Sequence, residues 1–229
     1  CGCTYGRGAE WSTATSGPGY PYNVSVYNIN TVLNYANGST AARSMAGSLQ
    51  IDDGMLDMGI ASNPLTVAGQ VTIYGTLSLS SVPGGDLRVG GYWSNYGIFN
   101  PNGRTVTFIG SGYQGIRGTT DTTFAGLTIN NSSPDSSGVA MEQNVTVNNV
   151  LTLTDGMLKV QDKNLTLGTG ASISGGTSTA SMVVTDGAFL SATGGSLCKQ
   201  FGGNGSFTFP VGDTIGTTEF SPSTLNFTS

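Results

Sequence analysis

A ten-residue phrase recurs along the chain and limits what it can become. Residues 49–58 read LQIDDGMLDM, and residues 151–160 read LTLTDGMLKV in the same register. A looser copy, LSLSSVPGGDLRV, covers 77–89. VTIYGTLSL (71–79) and VTVNNVLTL (145–153) also align without a gap. Similar strands joined by similar turns make a stacked array, in which each unit buries its apolar face only against its neighbours.

The strands themselves are legible as apolar pairs around one polar residue. Leu49/Ile51, Leu65/Val67, Val71/Ile73, Leu77/Leu79, Leu87/Val89, Val106/Phe108, Leu127/Ile129, Val145/Val147, Leu151/Leu153 and Leu165/Leu167 follow this in-out-in pattern, the signature of a short strand with one buried face. Leu153 lies six residues after Val147, Val160 seven after that, and Leu167 seven more. Three strands therefore consume about 20 residues, a spacing that fits stacked strands one ladder step apart. Several corners are one Gly or an Asn pair, such as Gly75 and Asn148-Asn149. These bend a chain, whereas a tight hairpin prefers Asn-Gly or Asp-Gly at its centre. Three bends close a coil. The predicted fold is all-β: a right-handed parallel β-helix with about 20 residues per coil and roughly eight coils, each about 4.8 Å above the last. The Asp53-Gly54 and Asp155-Gly156 pairs become corners needing φ > 0, and Arg88 and Lys159 take one outward place in the phrase. One helical turn is expected within 40–49. The expected organisation is an irregular N-terminal arm or cap at 1–21, the β-helix at 22–180, and a C-terminal β cap or start of a second β module at 181–229.

Composition excludes several classes. Charged residues are 9% of the chain, and 36 of its 229 residues are glycine, where globular proteins carry roughly 25% and about 7%. The strand alternation argues against a disordered linker of similar polarity. The eight basic residues are scattered and the net charge is −5, so no cationic stripe tracks a nucleic acid. No apolar run approaches the roughly 18 residues of a membrane helix. Histidine, the commonest general base and metal ligand, is absent.

VGGYWSNYGIFNPNGRTVTFIGSGYQGIRG (89–118), FAGLTINNSS (124–133), NVTVNNVLTLTDGMLKV (144–160) and FTFPVGD (207–213) are similar to the repeat region of large secreted, adhesin-like surface proteins of bacteria with type IX secretion. The likeness spans about 22–225 and is one of repeat style. It implies an extracellular β-helix in adhesion, matrix or appendage structure. It also implies O-glycosylation at Asp-Thr sites, of which Asp121-Thr122-Thr123 and Asp213-Thr214-Ile215 are examples, with Thr122 and Thr214 as acceptors. A chain that starts at Cys1 without Met further resembles a processed bacterial lipoprotein, which implies a lipid anchor there.

Three cysteines, Cys1, Cys3 and Cys198, leave at least one thiol outside an internal disulfide, and interchain bonding is one use for it. No catalytic residue, metal ligand set or cofactor motif is assigned. Asp52, Asp53 and Asp57 are the candidate carboxylate cluster for a polysaccharide-degrading enzyme, but the phrase repeats as Thr154, Asp155 and Lys159, which marks solvated outward positions. Aromatic residues are the better contact candidates: Trp11, Tyr20, Tyr22, Tyr27 and Tyr35 near the N-terminus, and Tyr92, Trp93, Tyr96 and Tyr113 further on. Trp11, Tyr20, Tyr22, Trp93 and Tyr96 are the candidate surface for glycans or another protein, against the favoured alternative that such rings cover the cap and the ends of the rod. The expectation is a structural or adhesive surface protein whose partners are further copies of itself, joined head to tail, and possible glycans. The alternative is a carbohydrate-binding or polysaccharide-degrading β-helix.

Overall fold

A computed structural model describes residues 3–6, 10–36, 40–133, 138–186 and 194–228. Its three-residue strands carry the alternation the sequence predicts: Leu49–Ile51, Leu65–Val67, Val71–Ile73 and Leu87–Val89 each bury both ends and turn the centre outward. Such strands are too short to stand alone, and parallel pairing with the coil above and below stabilises them. The result is a β-solenoid of about 7 turns with roughly 22 residues per turn, and the described residues contain no helix.

The chain visits three faces in rotation. Face 1 begins with Val24–Val26, Leu49–Ile51, Val71–Ile73, Trp93–Asn95 and Gln114–Gly118, and ends at its tenth strand, Glu219–Phe220. Face 2 runs Cys3–Gly6, Thr31–Asn34, Met55–Asp57, Thr76–Ser78 and Ile98–Asn100. Face 3 starts with Arg43–Met45, Leu65–Val67, Leu87–Val89 and Thr105–Phe108. Above it the strands Thr122–Asn130 and Val145–Asp155 are long and bent, so each covers two faces. Their first parts, 122–124 and 145–147, carry face 2 upward to Asn164–Leu167 and Ser196–Lys199.

The coil length agrees with the expected value of about 20 residues and varies a little along the stack. Val147 pairs with Leu167, 20 residues on, in the stretch used for that spacing. Leu49 pairs with Val71 and Val71 with Trp93, 22 residues apart each time, because the loops between faces 2 and 3 are longer in the lower coils. The expected turn of helix at 40–49 is absent. Met45 and Leu49 are fully buried there, and packing on the stack overrides the mild helix preference of Ala, Arg and Met. Parallel pairing also continues past residue 180, through Val183–Val184 to Val211–Asp213.

The recurrent phrase does not mark one corner. Residues 49–58 turn from face 1 to face 2, residues 77–89 from face 2 to face 3, and residues 151–160 from face 3 to face 1. Asp57, Arg88 and Lys159 therefore stand on three different faces. The glycines differ too. Gly156 adopts φ 81°, while Gly54 is required by close approach: a Cβ there would lie 2.6 Å from the Thr31 carbonyl oxygen.

The core is a column of aliphatic side chains that becomes aromatic near mid-length. Trp93 meets Phe99 edge-on at 4.7 Å and Phe124 at 5.4 Å. Burying a large apolar side chain contributes about 1.5–3 kcal/mol. At this layer the face 2 ladder is interrupted. Ile98–Asn100 is the terminal strand of its sheet, and 122–124 pairs only upward.

Candidate contact surfaces

The lateral faces are lined by small hydroxyl side chains at strand centres. Up face 3, Ser44, Thr66, Arg88, Thr107, Thr128, Thr152 and Ser174 follow one another in register. On face 1, Thr72, Ser94 and Arg117 do the same, and Arg117 Nε donates to Ser94 Oγ at 3.0 Å. The Arg117 guanidinium lies 4.3 Å over the Tyr92 ring, and Tyr113 donates its hydroxyl to Glu142 Oε1 at 3.0 Å. Burial, with Glu142 beside it, pushes the Tyr113 phenol pKa well above the usual tyrosine range.

The predicted aromatic surface divides in two. Trp11 and Trp93 are 4% and 0% exposed, which removes them from any contact surface. Trp93 belongs to the aromatic core. Trp11 is a cap: its Nε1 donates to the Ser44 carbonyl at 3.1 Å, and its ring meets Tyr35 edge-on at 5.4 Å. A stacked array must cover its end, and an indole with one polar atom does so while satisfying an edge carbonyl. Tyr20 is half-buried, Tyr22 is exposed, and Tyr96 is exposed and stacked on Tyr74 at 4.8 Å with 11° between planes.

Tyr27, one of the N-terminal aromatics, is exposed, and other exposed apolar residues escape a pattern search because a single such side chain outside a strand carries no period. Tyr5, Tyr27 and Ile29 are exposed at the N-terminal end, where Tyr5 and Tyr27 line a groove of about 280 Å³ with Val26 and Leu33. Leu225 and Phe227 stand on the terminal hairpin at the other end. Tyr74, Tyr96 and Ile98 form a strip along the corner between faces 1 and 2. Beside it, where the face 2 ladder is interrupted, a groove of about 270 Å³ is lined by Asn95, Ile98, Phe99, Thr120, Asp121 and Thr123, among others.

Of the two threonines, Thr122 is 1% exposed and takes hydrogen bonds from Trp93 Nε1, Asn95 Nδ2 and Gln143 Nε2 at 3.2, 3.1 and 2.7 Å. The folded chain cannot present that hydroxyl to a glycosyltransferase; strand alternation turns Thr123 outward instead. Thr214 is half-buried and donates to Asp186 Oδ2 at 2.8 Å. Asp52 accepts from Gln50 and Asp57 from the Gly59 amide, Asp53 is exposed, and no group of three His, Cys, Asp or Glu side chains placed to hold a metal occurs among the described residues. Cys198 is a free, exposed thiol on Ser196–Lys199. Cys1 and the side chain of Cys3 lie outside the described residues. No helix among the described residues is long and apolar enough to cross a membrane.

No family model matches the chain, and neither a curated protein nor a solved structure is found to be similar to it.

Proposed function

We propose that this chain is a structural and adhesive rod of the bacterial cell exterior that self-associates through its ends. The carrying observation is the contrast between lateral faces and ends: hydroxyl ladders line the sides, while exposed Tyr5, Tyr22, Tyr27 and Ile29 crowd one end and Leu225 and Phe227 the other. Exposed apolar patches with free strand edges are the usual marks of an association surface. The likeness in repeat style to secreted adhesin-like proteins supports the exterior setting. Sedimentation over a wide concentration range, with electron microscopy of the same samples, tests the reading. Rods growing in length at constant width are expected; a monomer at every concentration overturns it.

A glycan-binding contribution to adhesion has its own support in the Tyr74–Tyr96–Ile98 strip beside the groove at Asp121. Aromatic faces pack on sugar rings, and a carboxylate with nearby amides offers hydroxyl partners. Tyr74→Ala with Tyr96→Ala should reduce retention on immobilised polysaccharide at least tenfold if the strip binds. Unchanged retention would remove this second reading.

A further inference from the structure

We propose that copies join through face 2, the strand Cys3–Gly6 of one copy adding in parallel to the free upper edge of Ser196–Lys199 of the next. The proposal rests on the self-association reading and states which surfaces meet.

The three faces end at different heights. At the top the chain reverses near Gly216, which has φ 74°. Glu219–Phe220 then runs antiparallel on Val211–Asp213 and closes face 1. Ser223–Phe227 runs antiparallel on Gly205–Phe209, which lies over the end of face 3, Thr208 and Pro210 sharing a groove wall with Ile173 and Gly175. The returning chain thus closes two faces. On face 2, Ser196–Lys199 pairs below with Asn164–Leu167 and has no strand hydrogen-bonded above it among the described residues; Ser196 and Leu197 there open on a groove of about 380 Å³ whose other wall is Phe209, Ser223 and Leu225 of the hairpin. Face 2 is recessed at the top.

At the bottom the step is inverted. Face 1 stops at Val24–Val26. Face 3 stops at Arg43–Met45, whose edge is occupied by Trp11 on the Ser44 carbonyl and by the Pro21 carbonyl just beyond, on the Ala46 amide. Among the described residues, face 2 alone extends one strand further, to Cys3–Gly6, which pairs there only with Thr31–Asn34. A protruding strand therefore stands where the opposite end is recessed, on the same face and with the same direction. Translation along the axis makes a parallel pair like every other pair in that sheet.

The faces of the two strands agree as well. Leu197 continues the inward column of Leu165, and Tyr5 that of Leu33. Cys198 continues the outward column of Thr146 and Thr166, and Thr4 lies on the outward side of its strand. Edge strands that must stay single usually carry an exposed charge. The one charge on either strand, Lys199, is folded back, its Nζ bonded to the Gly168 and Thr169 carbonyls at 2.6 and 2.8 Å.

The test uses the whole chain with Cys1→Ser and Cys3→Ser, leaving Cys198 as its thiol. Thr4→Cys and Gly6→Cys are added singly and the assembled protein is oxidised. At least one should give a reducible ladder of dimers and longer multimers, lost again in Cys198→Ser. Thr107→Cys, on the lateral wall, should give none above background. Thr4→Lys should shorten or abolish the rods with an unchanged circular dichroism spectrum. Rods that form normally but cross-link from neither position overturn this junction and leave self-association standing. No assembly under any condition overturns both.

Discussion

Thr122 shows how one buried hydroxyl can organise a layer. It has two lone pairs and one proton, yet three donors converge on it. The pattern balances when Thr122 donates to the Gln143 amide oxygen and accepts from Trp93 and Asn95, because amide O and N are assigned from such networks. One atom of the Gln143 amide stays without a partner in either orientation. Thr122→Val should therefore destabilise the fold by about 3 kcal/mol, since unpaired buried donors are costly, while Thr122→Ser should cost far less; urea denaturation measures both. Tyr113 gives a second residue-scale outcome. Its phenol is raised by burial and by Glu142, so the folded state holds that proton more tightly than the unfolded state. The associated stability is present below the unfolded tyrosine pKa of about 10 and declines as pH rises above it. Ultraviolet titration should show a late component that is lost in Tyr113→Phe.

Strands and corners obey different rules. At the corner between faces 1 and 2, Gly54, Gly75 and Gly97 stack directly, and a Cβ on Gly75 would collide with the Gly54 carbonyl oxygen. Gly75→Ala should cost about 2 kcal/mol or more, because overpacking against backbone cannot be relieved by a rotamer change. Gly112→Ala is the control: nothing lies within 4 Å of its Cβ position, and it should be close to neutral. Strand existence was readable from Leu49/Ile51 or Leu65/Val67 because alternation reports burial directly. Coil phase was not. The phrase at 49–58, 77–89 and 151–160 describes a strand, a bend and a strand, and all three corners of the coil make that same local demand. The contact residues were less legible still. Trp11 and Trp93 read in one dimension either as contact surface or as cover for the rod, and the closed stack makes one a lid and the other core. Tyr27 and Ile29, by contrast, come to the surface because they lie on the corner between Val24–Val26 and Thr31–Asn34.

A solenoid has no centre that every contact shares, so its stability is a sum of neighbouring layers. The aromatic layer of Trp93, Phe99 and Phe124 lies between aliphatic layers on both sides, and amides near it should open only with most of the stack. The ends are different. Among the described residues, Cys3–Gly6 and Ser196–Lys199 each have one neighbour strand, so their outward-edge amides should exchange early. If the ends join as proposed, these same amides change class while the lateral faces do not. Hydrogen exchange on dilute and assembled protein should then show new protection confined to residues 4–6 and 197–199 and the adjoining Tyr27 and Leu225 regions. Protection at Thr107 or Thr152 on face 3 should be the same in both samples. Association through the lateral hydroxyl ladders predicts the opposite, new protection along face 3 with the ends unchanged, so one pair of measurements separates an end-to-end rod from a side-by-side sheet.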